Sequence, residues 1–194
     1  MSGRLKRTFF DNNCDVMSKK LLGKILCRKL DDGTILKGKI VETEMYPGST
    51  DKASHSFNAK KTKRNGAMFM DPGTSYVYYI YGMYFCFNIS TKETGGAILI
   101  RALEPFLGLD QMRKFRQTKL KSPKKFKDKD LCSGPSKLCQ ALNITISHNE
   151  LDLTQDEANL WVEDADDLED DQIYVSKRIG INSYGSDSAD KLYR

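Results

Sequence analysis

From Ser75 to Ser90 the chain reads Ser-Tyr-Val-Tyr-Tyr-Ile-Tyr-Gly-Met-Tyr-Phe-Cys-Phe-Asn-Ile-Ser, two β-branched and aromatic runs meeting at Gly82. That pattern predicts a β-hairpin with a tight tip. Aromatic and β-branched side chains suit a pleated surface, and a glycine between them tolerates the turn. Its neighbours then fall into place. Thr91–Gly96 is turn-like, and Ala97–Leu103 supplies a third strand, antiparallel to the second. Upstream, Asp31-Asp32-Gly33-Thr34 is a turn signal between two more strand-like runs, Lys24–Leu30 and Ile35–Tyr46. Leu21–Leu26 fits either a helix end or a short strand. Gly108–Gln117 has helical spacing, with Leu109, Met112 and Phe115 at i, i+3 and i+6. A second helix is expected over Ser136–Leu142, opened by Ser133-Gly134-Pro135 with Ser133 as its cap. The predicted fold class is α+β: one mixed domain over residues 1–194, with a curved, largely antiparallel sheet and surrounding helices.

Composition excludes several alternatives. A chain of 194 residues can bury a proper core without staples. No apolar run approaches the ~20 residues that span a bilayer, and no apolar stretch follows the basic start, so an intracellular protein is expected. The five cysteines are odd in number and scattered, with no Cys-x-x-Cys, which favours buried free thiols over disulfides or zinc. The net charge of +5 is unevenly spread. Residues 111–127 carry eight lysines and arginines and no acid, whereas residues 150–171 are acidic throughout. Such separation suits a molecule whose positive side meets polyanions, and residues 111–130 read as a basic loop.

Within this frame a few polar residues stand out. Glu44 lies near the end of a strand, before Tyr46 and a long polar loop containing His55, an arrangement open to general-base chemistry. Glu42 shares its parity, so the two carboxylates, completed by Asp51 or His55, would also suit a divalent metal. Five tyrosines, at 76, 78, 79, 81 and 84, crowd into nine residues. Tyr78 and Tyr81 have opposite parity and cannot share one face of a regular strand. Tyr81 sits at the hairpin tip, where an exposed ring suits insertion between stacked bases. Asn88 and Arg101 are isolated polar residues in apolar strands, and each needs a partner from protein or ligand.

The runs Val41-Glu42-Thr43-Glu44-Met45-Tyr46, Met68-Phe69-Met70, Tyr76-Val77-Tyr78, Tyr81 through Ser90, Leu99 through Pro105 and Leu131 through Leu142 together resemble the alkyladenine (methylpurine) DNA glycosylase family. The resemblance runs from about Lys20 to Gly180 with motif order kept. It implies that Glu44 activates the attacking water and that Arg101 helps place the water and sugar-phosphate. It implies that Tyr46, His55 and Tyr78 hold the flipped base and that Asn88 crowds the amino group of normal guanine. Tyr81 would fill the gap left in the duplex, and Arg64 and Lys137 would meet the DNA backbone. The implied activity is removal of damaged purines (the 3-methyladenine, 7-methylguanine, hypoxanthine and ethenoadenine class) from double-stranded DNA, without strand cleavage, metal or cofactor. A monomer is expected, placed in the nucleus, with the mitochondrion as a second compartment.

The match has departures. Lys63-Arg64-Asn65-Gly66-Ala67 stands where many relatives carry Pro-Arg-Asn-x-Gly. Relatives also continue past Leu192-Tyr193-Arg194 with a further strand, whose lack would leave a sheet edge open. Three other readings follow from the same residues: a metal-dependent nuclease using Glu42, Glu44 and Asp51, a binder of flipped bases that performs no chemistry, and a generic nucleic-acid-binding β domain, against which the retained Glu44 argues.

Overall fold

The computed structural model of the protein describes residues 3–118, 120 and 122–194; Lys119 and Lys121 of the basic stretch lie outside the described residues. Six strands form one antiparallel sheet: β1 (Ile25–Lys29), β2 (Ile35–Tyr46), β3 (Ser75–Ile80), β4 (Tyr84–Ser90), β5 (Ala97–Leu107) and β6 (Leu160–Glu163). Their order is β3-β4-β5-β2-β1-β6, and the sheet curls into a half-barrel. Short helices accompany it: α1 (Arg7–Phe10), α2 (Cys14–Lys20), α3 (Leu109–Gln117), α4 (Asp128–Leu131), α5 (Pro135–Ala141) and α6 (Ser186–Ala189). This is the mixed α+β domain expected.

The hairpin forms as its sequence demands. Tyr76 faces Asn88, Tyr78 faces Cys86 and Ile80 faces Tyr84. The Met83 amide closes the turn by donating to the Ile80 carbonyl at 3.3 Å. Tyr81 and Gly82, its central residues, both have positive φ (52° and 66°). That is the type I′ pattern, whose twist matches the flanking strands.

Alternation sorts the strands into two faces. Val77, Phe87, Ile89, Ile98 and Ile100 join Leu138, Ala141 and Leu142 near α5 and Met17 of α2 in the main core. Truncating one such large core side chain to alanine costs about 2–5 kcal/mol. The opposite face carries Tyr76 and Tyr78, Cys86 and Asn88, Leu99 and Arg101, and Glu44 and Tyr46, all of which line a single pocket.

The long β2–β5 ladder is irregular where that pocket needs it. Ile40 faces Leu103, Glu42 faces Ala102 and Thr43 faces Ile100, which leaves Val41 and Arg101 as extra residues. Bulges bend strands and re-aim side chains. Here they gather Glu42, Glu44 and Arg101 on one side. Past its pairing with β1, β2 is flanked by later segments: the Met45 amide donates to the Tyr193 carbonyl at 2.9 Å, and Arg178 donates to the Met45 carbonyl at 3.0 Å.

Two local expectations are corrected. Ser133 is not the cap of α5; the cap position falls at Gly134 with no side-chain bond, and the Ser133 hydroxyl donates to the Asp130 carbonyl at 3.4 Å. Pro135 does open the helix, because its missing N–H is one the first turn leaves unused anyway. Nor are residues 111–130 a loop throughout, since α3 runs to Gln117 and α4 begins at Asp128. Arg113 pairs with Asp110 at 2.6 Å and also with Asp128, while buried Arg116 donates to the Leu131 carbonyl at 2.8 Å. Part of the basic stretch is therefore internal architecture rather than a free positive surface.

Candidate active site

Glu44 lies at the base of the pocket and is fully buried. It stands two residues before the end of β2, opposite Leu99 of β5, within the ladder. Two hydrogen-bond donors and one ion-pair partner converge on it. Tyr46 donates its hydroxyl to Oε2 at 2.9 Å, and the Ile179 amide donates to Oε1 at 2.8 Å. Arg101 forms an ion pair with Oε1 at 3.2 Å. A carboxylate oxygen offers two lone pairs, and among the described residues Oε2 accepts the Tyr46 bond, which leaves an acceptor site on it. The two hydrogen bonds and the ion pair hold the carboxylate in one orientation. Burial, and secondly the Glu44 charge, push the Tyr46 phenol well above its usual pKa, so it remains a donor to Glu44.

Arg101 is held on its other flank. Its Nε donates to Glu42 Oε1 at 3.2 Å, and Glu42 in turn accepts from Arg194 at 2.6 Å. The two carboxylates that sequence parity places together do meet, with an arginine between them. Asp51 is elsewhere: it is fully buried and bound to Arg178. Among the described residues no group of three or more His, Cys, Asp or Glu side chains is placed to hold a metal ion, so the nuclease constellation of Glu42, Glu44 and Asp51 is not assembled.

The walls of the pocket are aromatic. Its volume is about 480 Å³, within the roughly 300–1,000 Å³ typical of small-ligand sites. The His55 and Tyr78 rings meet edge-on with centroids 4.7 Å apart, and Tyr76 and Tyr78 lie 5.3 Å apart, tilted by 32°. His55 Nδ1 bonds to the Tyr76 hydroxyl at 2.8 Å. One edge of His55 is open to solvent, yet the surrounding protein desolvates the ring and, with the Arg64 charge, depresses its pKa to about 4. It is a neutral imidazole at pH 7. Arg64 stacks over Tyr78, 5.0 Å from the ring centroid, and donates to the Tyr79 carbonyl at 3.2 Å. The side-chain amide of Asn88 donates to the Tyr76 carbonyl across the hairpin at 3.0 Å, which fixes its position on the pocket face.

Tyr81 lines the rim with its ring 84% exposed, the most exposed aromatic of the hairpin. Lys137 sits one residue beyond the rim residues Pro135 and Ser136, exposed and bonded to Ser133 Oγ at 3.2 Å. Glu44, Arg101, Tyr46, His55, Tyr78, Asn88, Tyr81 and Arg64 thus share one cavity, and Lys137 flanks it.

Sequence reasoning missed the far wall, formed by Ile179, Gly180, Ile181 and Tyr184. It also missed Asn65, which ties the His55 loop together by donating to the His55 and Lys60 carbonyls at 2.8 and 2.9 Å. Arg178 gives no local signal, because its ion-pair partner lies more than a hundred residues away.

Comparison with known proteins gives a consistent result. The family described as methylpurine-DNA glycosylase (MPG) matches residues 8–194. The DNA-3-methyladenine glycosylase of Mus musculus is 49% identical over 189 residues, covering 95% of this chain and 56% of the mouse protein. That of Homo sapiens is 48% identical, covering 94% of this chain and 62% of the human protein. The chain therefore spans about three fifths of these mammalian relatives. A relative from Clostridium tetani is 46% identical and matched over 94% of its own length. On these sequence matches, the chain belongs to the methylpurine-DNA glycosylase family.

Proposed function

We propose that the protein is a base-excision-repair glycosylase that rotates a damaged purine out of duplex DNA and hydrolyses its N-glycosidic bond, leaving an abasic site. The observation that carries this reading is Glu44: a fully buried carboxylate, oriented by two hydrogen bonds and an ion pair, in an aromatic pocket whose rim bears an exposed tyrosine.

A stacked base cannot be cut in place, and extruding it costs roughly a few kcal/mol, least for damaged or mispaired bases. Tyr81 fills the space the base leaves. The extruded base stacks among Tyr46, His55 and Tyr78, and aromatic stacking returns roughly 1–3 kcal/mol per base. An alkylated purine carries positive charge and is attracted to these ring faces, while neutral His55 does not repel it. Asn88, pinned to the Tyr76 carbonyl, crowds the amino group that normal guanine would bring. As the purine leaves with the electrons of the glycosidic bond and the sugar becomes oxocarbenium-like, the negative charge of Glu44 stabilises that cation; Glu44 then takes a proton from the water on Oε2 as the water oxygen bonds to the anomeric carbon. Arg101 places the water and sugar-phosphate, and Arg64 and Lys137 meet the backbone. The substrate class is alkylated and deaminated purines in double-stranded DNA, handled by a monomer, in the nucleus where the cell has one.

The test uses a duplex carrying one hypoxanthine and, in parallel, methylated-purine DNA, incubated in EDTA with wild type and Glu44→Gln. Expected are abasic sites, cleaved only after hot alkali, from wild type alone, with Glu44→Gln at least about 100-fold slower. Strand breaks before alkali would overturn the mechanism. Tight binding without base release from either DNA would make the protein a binder of damage instead.

A further inference from the structure

The Asp51–Arg178 pair is the most deeply buried ion pair among the described residues, with both side chains fully inaccessible. It is bidentate: one guanidinium nitrogen meets Asp51 Oδ2 and the other meets Oδ1 at 3.0 Å. Burial alone would raise the Asp51 carboxyl, and Arg178 overcomes that and holds it below its usual range. Burying two charges is unfavourable unless geometry repays it, and an apolar pair of similar volume often serves stability as well. The contacts made by Arg178 indicate what the pair does.

Arg178 reaches both residues that follow Glu44. It donates to the Met45 carbonyl at 3.0 Å, and its guanidinium stacks 4.6 Å from the centre of the Tyr46 ring. Its other nitrogen donates to the Ser188 carbonyl at 3.2 Å, and the Tyr193 ring lies 5.1 Å away on a further side. The next residue in the chain, Ile179, gives its amide to Glu44 Oε1. One guanidinium therefore fixes the strand carrying Glu44, the ring that donates to Oε2, and the segment whose amide binds Oε1.

We propose that Asp51 and Arg178 are positioning residues for Glu44: the pair clamps residues 178–181 onto the end of β2, so that Ile179 and Tyr46 hold the carboxylate in the orientation that leaves Oε2 open to water. Asp51 sits in the loop after Tyr46, between the base and His55, which couples the clamp to the base pocket as well. The inference rests on Glu44 acting as the base.

The test compares wild type, the double variant Asp51→Leu/Arg178→Met and the conservative variant Arg178→Lys. The double variant strands no charge, so it isolates positioning from the penalty of an unpaired buried ion. Single-turnover excision is measured on hypoxanthine and methylated-purine duplexes, with affinity for an abasic-site duplex and melting temperature alongside. Expected is an excision rate about 10–100-fold lower in the double variant, with affinity within about threefold and a cooperative melt. Arg178→Lys, which keeps the charge and loses the fork, should fall between the two. A folded double variant with unchanged excision would show that the pair serves stability alone and overturn the proposal. Equal losses of rate and affinity would overturn it too, as collapse of the pocket. So would failure of both variants to fold, which would make the pair a folding element. Absence of excision by wild type would overturn the glycosylase reading and this inference with it, an outcome separate from the others.

Discussion

At the scale of single residues, the pocket is built by paired compromises, and Tyr81 is the plainest. A tyrosine with φ of 52° occupies the left-handed region, where an L-residue with a bulky side chain is about 1–2 kcal/mol less comfortable. The type I′ turn would prefer asparagine or glycine at that position. Nothing in the fold rewards the ring, which is 84% exposed. A strained and largely exposed ring fits the proposed use outside the free protein, insertion into the duplex. Replacing it should therefore move stability and binding in opposite directions. Tyr81→Asn is expected to raise stability by about 0.5–1 kcal/mol in urea unfolding and to weaken binding to duplex containing hypoxanthine. A variant that loses stability and binds DNA unchanged would remove Tyr81 from the wedge role. Arg178 shows the converse compromise, a charge taken fully out of water and paired in bidentate fashion with Asp51.

Elements inherit their reliability from how local their causes are. The loop bearing His55 is held chiefly by Asn65, whose side-chain oxygen accepts from the Thr62 amide at 2.6 Å and whose amide reaches back to His55 and Lys60. Asn65→Ala removes these three part-buried bonds, at roughly 1–3 kcal/mol together. It is expected to destabilise by that amount and to weaken binding of a damaged duplex in the same variant. Unchanged affinity alongside the stability loss would show that the loop keeps its base-facing shape without Asn65. The hairpin β3–β4, the long strands β2 and β5 and the helix α3 are legible in the sequence because their signals are local: period-two alternation, turn residues and helical spacing. The strand β6 is only four residues long, and α2 carries no side-chain cap bond, so neither announces itself. The bulge at Arg101 is invisible for a different reason. It is a property of two strands in register, and no single segment encodes it. The same holds for the far wall: Ile179 matters only because Arg178 finds Asp51 across the fold.

Over the whole molecule, charge does two jobs that the linear pattern confuses. The acidic stretch is not merely a solvated surface, because Asp164 and Asp167 each hold the buried Lys24 ammonium at 2.8 Å. The histidines report the same embedding. Burial first, with Arg64 second, lowers His55 to about 4, and burial with Arg28 second lowers His148. These are the only two histidines in the chain. Both are held neutral by the folded state, so protonation favours the unfolded chain. Their contribution is complete above the unfolded pKa of about 6.5 and diminishes as the pH falls towards the folded values. Asp51, Asp152 and Glu163 act later in an acid titration. Burial would raise their carboxyls, but Arg178, Gln155 with Thr154, and Lys37 respectively hold them below the usual range. Their stabilisation persists above the ordinary carboxylate pKa of about 4 and is lost beneath it. Urea unfolding from pH 8 to pH 3 should therefore give a plateau to about pH 6.5 and then a decline. Its slope is bounded by about 1.4 kcal/mol per pH unit for each imidazole, less for the partly solvated His55, with a second loss below about pH 4 as the carboxylates protonate. Imidazole proton resonances followed over the same range should show no titration near pH 6.5 and a His55 midpoint near 4. A midpoint near 6.5 would mean that the pocket is wetter than its walls imply. His55 would then be charged over much of the acid side of neutrality, and the pocket would repel the cationic purines that a neutral imidazole admits.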